Sequence, residues 1–134
     1  LEAIDTLVKY MEDYRDDFVV ILAGYKKEME VFLSANSGLR SRFANILHFK
    51  DYTGEEIYRI ATSIAKGKDY SIDSSAKKEL IHYFTIQNEK EGGNGRLARN
   101  AVEKAMIAHA SRNSDEDILL LEDFLGKGSE KDAN

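Results

Sequence analysis

Six consecutive residues, Phe18-Val19-Val20-Ile21-Leu22-Ala23, are apolar without a break. A strand with one wet face alternates apolar and polar positions. An unbroken, β-branched run of this length fits a strand covered on both faces, as in a parallel sheet flanked by helices. Gly24 ends the run. Lys26 to Leu33 then reads as a short helix with Met29, Phe32 and Leu33 inward, and Asn36-Ser37-Gly38 as a helix stop. Ile46-Leu47-His48-Phe49 reads as a second short strand. Strand, helix and strand make a βαβ unit, whose right-handed crossover sets the two strands parallel. Upstream, Ile4, Leu7, Val8 and Met11 recur at helical spacing, giving a first helix to about Asp13, followed by a polar turn at Tyr14-Arg15-Asp16-Asp17. The chain opens inside that helical pattern and without methionine, so it is expected to be a piece of something larger.

The pattern changes near residue 50. Thr53 and Glu56 have capping-box spacing, and the helix they start carries Ile57, Ile60, Ala61 and Ile64 inward before fraying at Lys66-Gly67-Lys68. Asp73 or Ser74 caps the next helix, with Leu80, Ile81, Tyr83 and Phe84 as its buried set. Glu91-Gly92-Gly93-Asn94-Gly95 is a glycine-rich break. A third helix spans about Arg96 to Ala110, and Ile118 to Phe124 forms a short apolar end piece. Residues 1–50 thus read as the end of an α/β sheet domain, 51–125 as a small helical bundle, and 126–134 as a disordered tail. Proline is absent from all 134 residues, which leaves the punctuation to glycine.

Composition excludes several classes. With 43% apolar and 32% charged residues the chain is globular rather than disordered. No apolar run approaches the roughly 20 residues that span a bilayer. No cysteine is present, so neither disulfides nor thiolate sites exist, which fits a cytoplasmic protein. A net charge of −5 disfavours a general nucleic-acid binder. His48, His82 and His109 lack metal-ligand spacing, so no metal site is expected. His48 on a strand and His109 on an apolar helix face read as packed residues.

Two stretches remain that can carry chemistry. Arg40 and Arg42 lie between the helix stop and the second strand, in what reads as a surface loop. Loop arginines are usually solvated, but a glycine-defined turn can also aim a guanidinium at a phosphate on a neighbour. The second stretch is Gly92-Gly93-Asn94-Gly95-Arg96-Leu97-Ala98-Arg99-Asn100. Arg96, Arg99, Asn100 and Glu103 share one face of its helix, and Ala98, Ala101, Val102, Ala105 and His109 the opposite one. The polar face is either a solvated stripe or the seat of an arginine that reaches a bound phosphate from the first helical turn.

Together these stretches resemble the AAA+ ATPases. The likeness is to the group containing the Rubisco activase CbbX, the stage V sporulation protein K and the type VII secretion ATPases. A-I-D-T-L-V-K-Y-M-E-D-Y-R-D-D-F-V-V-I-L-A-G-Y resembles the helix and strand that follow the Walker B strand in that group. M-E-V-F-L-S-A-N-S-G-L-R-S-R-F is similar to its M-x-x-F-x-x-x-N-P-G-L-x-S-R-F segment, with Ser37 in place of proline. G-N-G-R-L-A-R-N resembles its G-N-A-R-x-x-R-N segment. The resemblance implies a mixed α/β, mostly helical fold: the C-terminal piece of a parallel P-loop sheet domain, then an α-helical lid. It implies that Arg42 is an arginine finger used in trans, with Arg40 as alternative or helper. Arg96 becomes the sensor 2 arginine, flanked by Asn94 and Gly95, and Ala23-Gly24-Tyr25 the sensor 1 region, where this chain offers Gly24 and Tyr25 and many members place a polar Asn or Thr. ATP and magnesium belong to a longer parent, a ring and expectedly a hexamer, that remodels a protein partner. These residues contain no G-x-x-x-x-G-K-[ST], so this chain alone is expected to bind and hydrolyse no ATP. Two other readings remain open: a non-catalytic helical interaction module, and a nucleic-acid helicase or loader relative, which the acidic balance disfavours.

Overall fold

The computed structural model describes residues 2–126. The chain divides into two compact units, Leu1–Phe49 and Lys50–Asn134. The expected tail beyond Gly126 lies outside the described residues.

The first unit contains helices α1 (Glu2–Asp13), α2 (Lys26–Ser34) and α3 (Ser37–Arg42). Neither apolar run expected as a strand forms one among the described residues. Val19 is 85% exposed, Leu47 82% and Phe49 92%. A strand is a collective object: its backbone N–H and C=O groups need a neighbouring strand, and its two faces need cover. The described residues supply neither, so composition sets the potential for a strand without realising it. His48, expected to be packed, is exposed for the same reason. The other departure is α3. The stop at Asn36 does end α2, but Asn36 then starts a new helix. Its Oδ1 accepts from the Gly38 N–H at 2.8 Å, satisfying one of the open donors of the first turn. Leu33 and Leu39 are the buried residues among those described in this unit.

The second unit is a helical bundle: α4 (Gly54–Gly67), α5 (Lys77–Glu91), α6 (Gly95–Ser111) and the short α7 (Leu121–Leu125). The Thr53 box forms as its spacing predicts. Thr53 N–H donates to Glu56 Oε1 at 3.0 Å, and Glu56 N–H to Thr53 Oγ1 at 3.1 Å. The bonds from the Thr53 backbone and then its hydroxyl hold the Glu56 carboxyl below its usual range. Asp73 precedes a single 3₁₀ turn, Ser74–Ala76, that leads into α5.

The core is continuous across the helices. Ile57, Leu80, Phe84, Val102, Leu119 and Phe124 fill it, and Ala61, Ala65, Ala98 and Ala105 bring the backbones close. Burying an apolar side chain of this size contributes roughly 1.5–3 kcal/mol. At Gly54 the backbone of α4 lies directly against α5. A Cβ there would overlap Thr85 Oγ1 and the Ile81 carbonyl and stand 2.9 Å from Thr85 N, so α4 can meet α5 only through a glycine.

Two strands of two residues each, unforeseen in the sequence, tie the α4–α5 connection to the segment that follows α6. β1 (Ser71–Ile72) pairs in parallel with β2 (Ile118–Leu119), Ser71 opposite Ile118. Arg112, at the C-terminal end of α6, holds the far side. Its Nε donates to Asp123 Oδ1 at 2.9 Å, and its Nη2 to Asp123 Oδ2 at 2.8 Å and to the Ile118 carbonyl at 3.0 Å. Asp123 Oδ2 also accepts from the Leu120 N–H at 2.8 Å. Burial pushes the Asp123 carboxyl up, but the Arg112 and Leu120 hydrogen bonds and the nearby positive charge outweigh it and hold the group low. His109 is packed as expected. Its Nε2 lies 2.6 Å from the Glu116 carbonyl, and because a carbonyl only accepts, Nε2 carries the proton.

Candidate functional site: two arginine segments

Arg40 and Arg42 do not sit in a loop. Both belong to α3, two residues apart and so roughly 200° apart around its axis. Arg40 is exposed, with Nη2 3.5 Å from Ser34 Oγ. Arg42 is half-buried and folded back along its own helix: Nη1 donates to the Gly38 carbonyl at 2.9 Å, and Nη2 pairs with Glu12 of α1. A Cβ at residue 38 would lie 2.6 Å from Arg42 Nη1, so Gly38 makes room for this conformation. The ion pair is solvent-accessible, and such pairs are worth about 1 kcal/mol or less. Arg42 therefore has a partner that costs little to leave. It also lines an open cleft of about 620 Å³ together with Met11, Glu12, Arg15 and Phe18. Tyr25 directly precedes α2 and is 83% exposed.

The glycine segment is built differently. α5 ends at Gly92 (φ 70°), and Gly93 (φ 103°) and Asn94 (φ 49°) continue in left-handed conformations before α6 begins at Gly95. Arg96 is the second residue of α6 and is exposed. It makes no ion pair among the described residues. The first turn of α6 holds no acidic residue. The positive end of the helix dipole disfavours a cation there, so Arg96 stands in a field that opposes it, without a counterion. Gly95 adds no side chain, and nothing lies within 4 Å of where its Cβ would be. The polar and apolar faces of α6 fall as the periodicity predicts: Ala98, Val102, Ala105 and His109 are buried, while Arg96, Arg99, Asn100 and Glu103 are exposed.

The Asn94 side chain is engaged within its own unit, in bonds to Asp51, Tyr52 and Asn88. Sequence reasoning could place Asn94 in a turn but not find these partners, which lie as far as 43 residues away. Among the described residues no group of three or more His, Asp or Glu side chains is arranged to hold a metal ion. No described helix is long and apolar enough to cross a membrane.

Comparison with known proteins adds the family. Residues 53–129 match the AAA lid domain. The chain belongs to the AAA+ family and carries its lid. Stage V sporulation protein K of Bacillus subtilis is 42% identical over 115 residues, covering 83% of this chain and 36% of that protein. Protein CbbX of Cereibacter sphaeroides is 40% identical over 112 residues, again 83% of this chain and 36% of that protein. The chloroplastic ribulose bisphosphate carboxylase/oxygenase activase of Cyanidioschyzon merolae is 39% identical over 112 residues, 83% of this chain and 38% of that protein. The chain thus spans less than half the length of these relatives. The mixed, mostly helical fold expected of such a chain is the one observed, apart from the two apolar runs that form no strand.

Proposed function

We propose that this chain is the distal part of a longer ATPase that works as a ring, expectedly of six subunits, and couples ATP hydrolysis to remodelling of a protein partner. The observation that carries the reading is Arg96, an exposed cation with no ion pair among the described residues, in the first turn of a lid helix whose dipole opposes it. A bound phosphate removes that frustration. In this reading Arg96 is the sensor 2 contact to the nucleotide of its own subunit, and Gly95 lets the backbone approach the same anion. Arg42 exchanges Glu12 for the terminal phosphate held by a neighbouring subunit, where it stabilises charge that develops during transfer. Arg40 assists, and Tyr25 marks the sensor 1 region. In this reading the phosphate cradle and the magnesium ligands are supplied by residues outside this chain. A cytoplasmic setting belongs to the same proposal.

The test is made in the longer protein. Arg42→Ala should lower kcat by about 10³–10⁵-fold, the range for arginine fingers, while leaving nucleotide affinity intact. Arg96→Ala should impair hydrolysis within each subunit. If both variants turn over ATP like the parent, the chain is a helical binding module and the reading is wrong.

A further inference from the structure

Asn94 adopts φ 49° and ψ −116°, a region that glycine enters freely and other residues rarely do. Glycine occupies positions 92, 93 and 95 around it, so backbone freedom alone would be served by a fourth. The side chain explains the exception. Asn94 Oδ1 accepts from the Tyr52 N–H at 2.8 Å and from Asn88 Nδ2 at 3.1 Å. Asn94 Nδ2 donates to Asp51 Oδ1 at 3.0 Å. Asn94 N–H donates to Asn88 Oδ1 at 2.9 Å, and Asn88 Nδ2 also reaches the Tyr52 carbonyl at 3.1 Å. The donors and acceptors fix both amides. The Tyr52 N–H can only donate, so the Asn94 oxygen must face it and its nitrogen must face the Asp51 carboxylate.

The knot joins three places: the segment by which the chain enters the second unit, the last turn of α5, and the residue before α6. Thr53, whose cap starts α4, follows Tyr52 directly, and Arg96 lies two residues beyond Asn94. The starts of α4 and α6 are therefore held as one corner. We propose that Asn94 is a positioning residue for Arg96: it clamps the first turn of α6 to Asp51 and Tyr52, so that displacement of the incoming chain is transmitted to the Arg96 guanidinium. This rests on the reading of Arg96 as a nucleotide contact. Asn94 itself need not touch the nucleotide.

The experiment uses Asn94→Gly, which keeps the backbone conformation open and removes only the side-chain bonds, made in the longer ATPase alone and with Arg96→Ala. Amide exchange should speed up at least about tenfold at Tyr52 and Asn94 while the core amides stay protected. ATPase kcat should fall about tenfold or more, the scale of a misplaced catalytic group. In the Arg96→Ala background Asn94→Gly should add nothing, because both act through one group. A reciprocal swap gives a rescue. Asn94→Asp sets two carboxylates together and should impair turnover, and adding Asp51→Asn restores a donor to that contact and should recover it. Unchanged exchange at Tyr52, unchanged kcat, a loss additive with Arg96→Ala, or no rescue overturns the positioning role while the nucleotide reading stands. An Arg96→Ala enzyme with parental turnover overturns the nucleotide reading and this inference with it.

Discussion

Replacing Gly54 with alanine sets two effects against each other. Alanine gains up to about 1 kcal/mol over glycine inside a helix, and less at a first position such as residue 54. Against this, the new methyl would overlap Thr85 Oγ1 and the Ile81 carbonyl, with Thr85 N at 2.9 Å. Two of these three atoms are backbone and cannot rotate away. The helices must separate, and forced insertion of a methyl group into a packed contact costs typically about 1–3 kcal/mol. The clash wins, with a net loss of about 1–2 kcal/mol, or roughly 5–15 °C in melting temperature for a unit of this size. Gly67, at the other end of α4, is the control. Nothing lies within 4 Å of its Cβ position, so Gly67→Ala should be neutral or mildly stabilising. Thermal and urea unfolding of the chain by far-UV circular dichroism distinguishes the two. A Gly54→Ala protein that melts with or above Gly67→Ala would mean that α4 and α5 do not approach as described.

Other outcomes follow from the same structure. Phe84→Ala removes a fully buried ring and should cost about 3–5 kcal/mol, read as a drop in the urea midpoint. Asp123 is held low in the folded state, so the stability it contributes is complete above the ordinary carboxylate range and is lost as pH falls through that range toward its lowered value. Melting temperature should fall between pH 7 and pH 3, and Asp123→Asn should flatten part of that slope, leaving the share due to Glu56. Gly38→Ala displaces the Arg42 guanidinium from its rest against the Gly38 carbonyl. In the longer protein it should lower kcat more than it changes nucleotide affinity.

What could be read from the sequence was what is decided locally. The Thr53 box, the two faces of α6 and the glycine break depend on neighbours within a turn or two, and each forms where its spacing places it. The apolar runs at 18–23 and 46–49 were expected as strands and form none, because a strand exists only with partners and the described residues offer none. Asn36 was ambiguous because the same side chain that ends one helix can cap the next, which moved Arg40 and Arg42 from a loop into α3. The pairing of β1 with β2 left no trace, since two residues are too few to show a period. The partners of Asn94 and Arg112 were hidden for another reason: a hydrogen bond between distant residues has no sequence signature without its fold.

The pairing of Ser71 with Ile118 has a consequence for how the lid is made. Leu119 and Phe124, among its most deeply buried side chains, come from its last elements. During synthesis α4, α5 and α6 emerge with an apolar seam that nothing can seal until β2 and α7 have left the ribosome. The lid should therefore fold in one late step rather than helix by helix, and a nascent chain stalled before Ile118 would present that seam to chaperones.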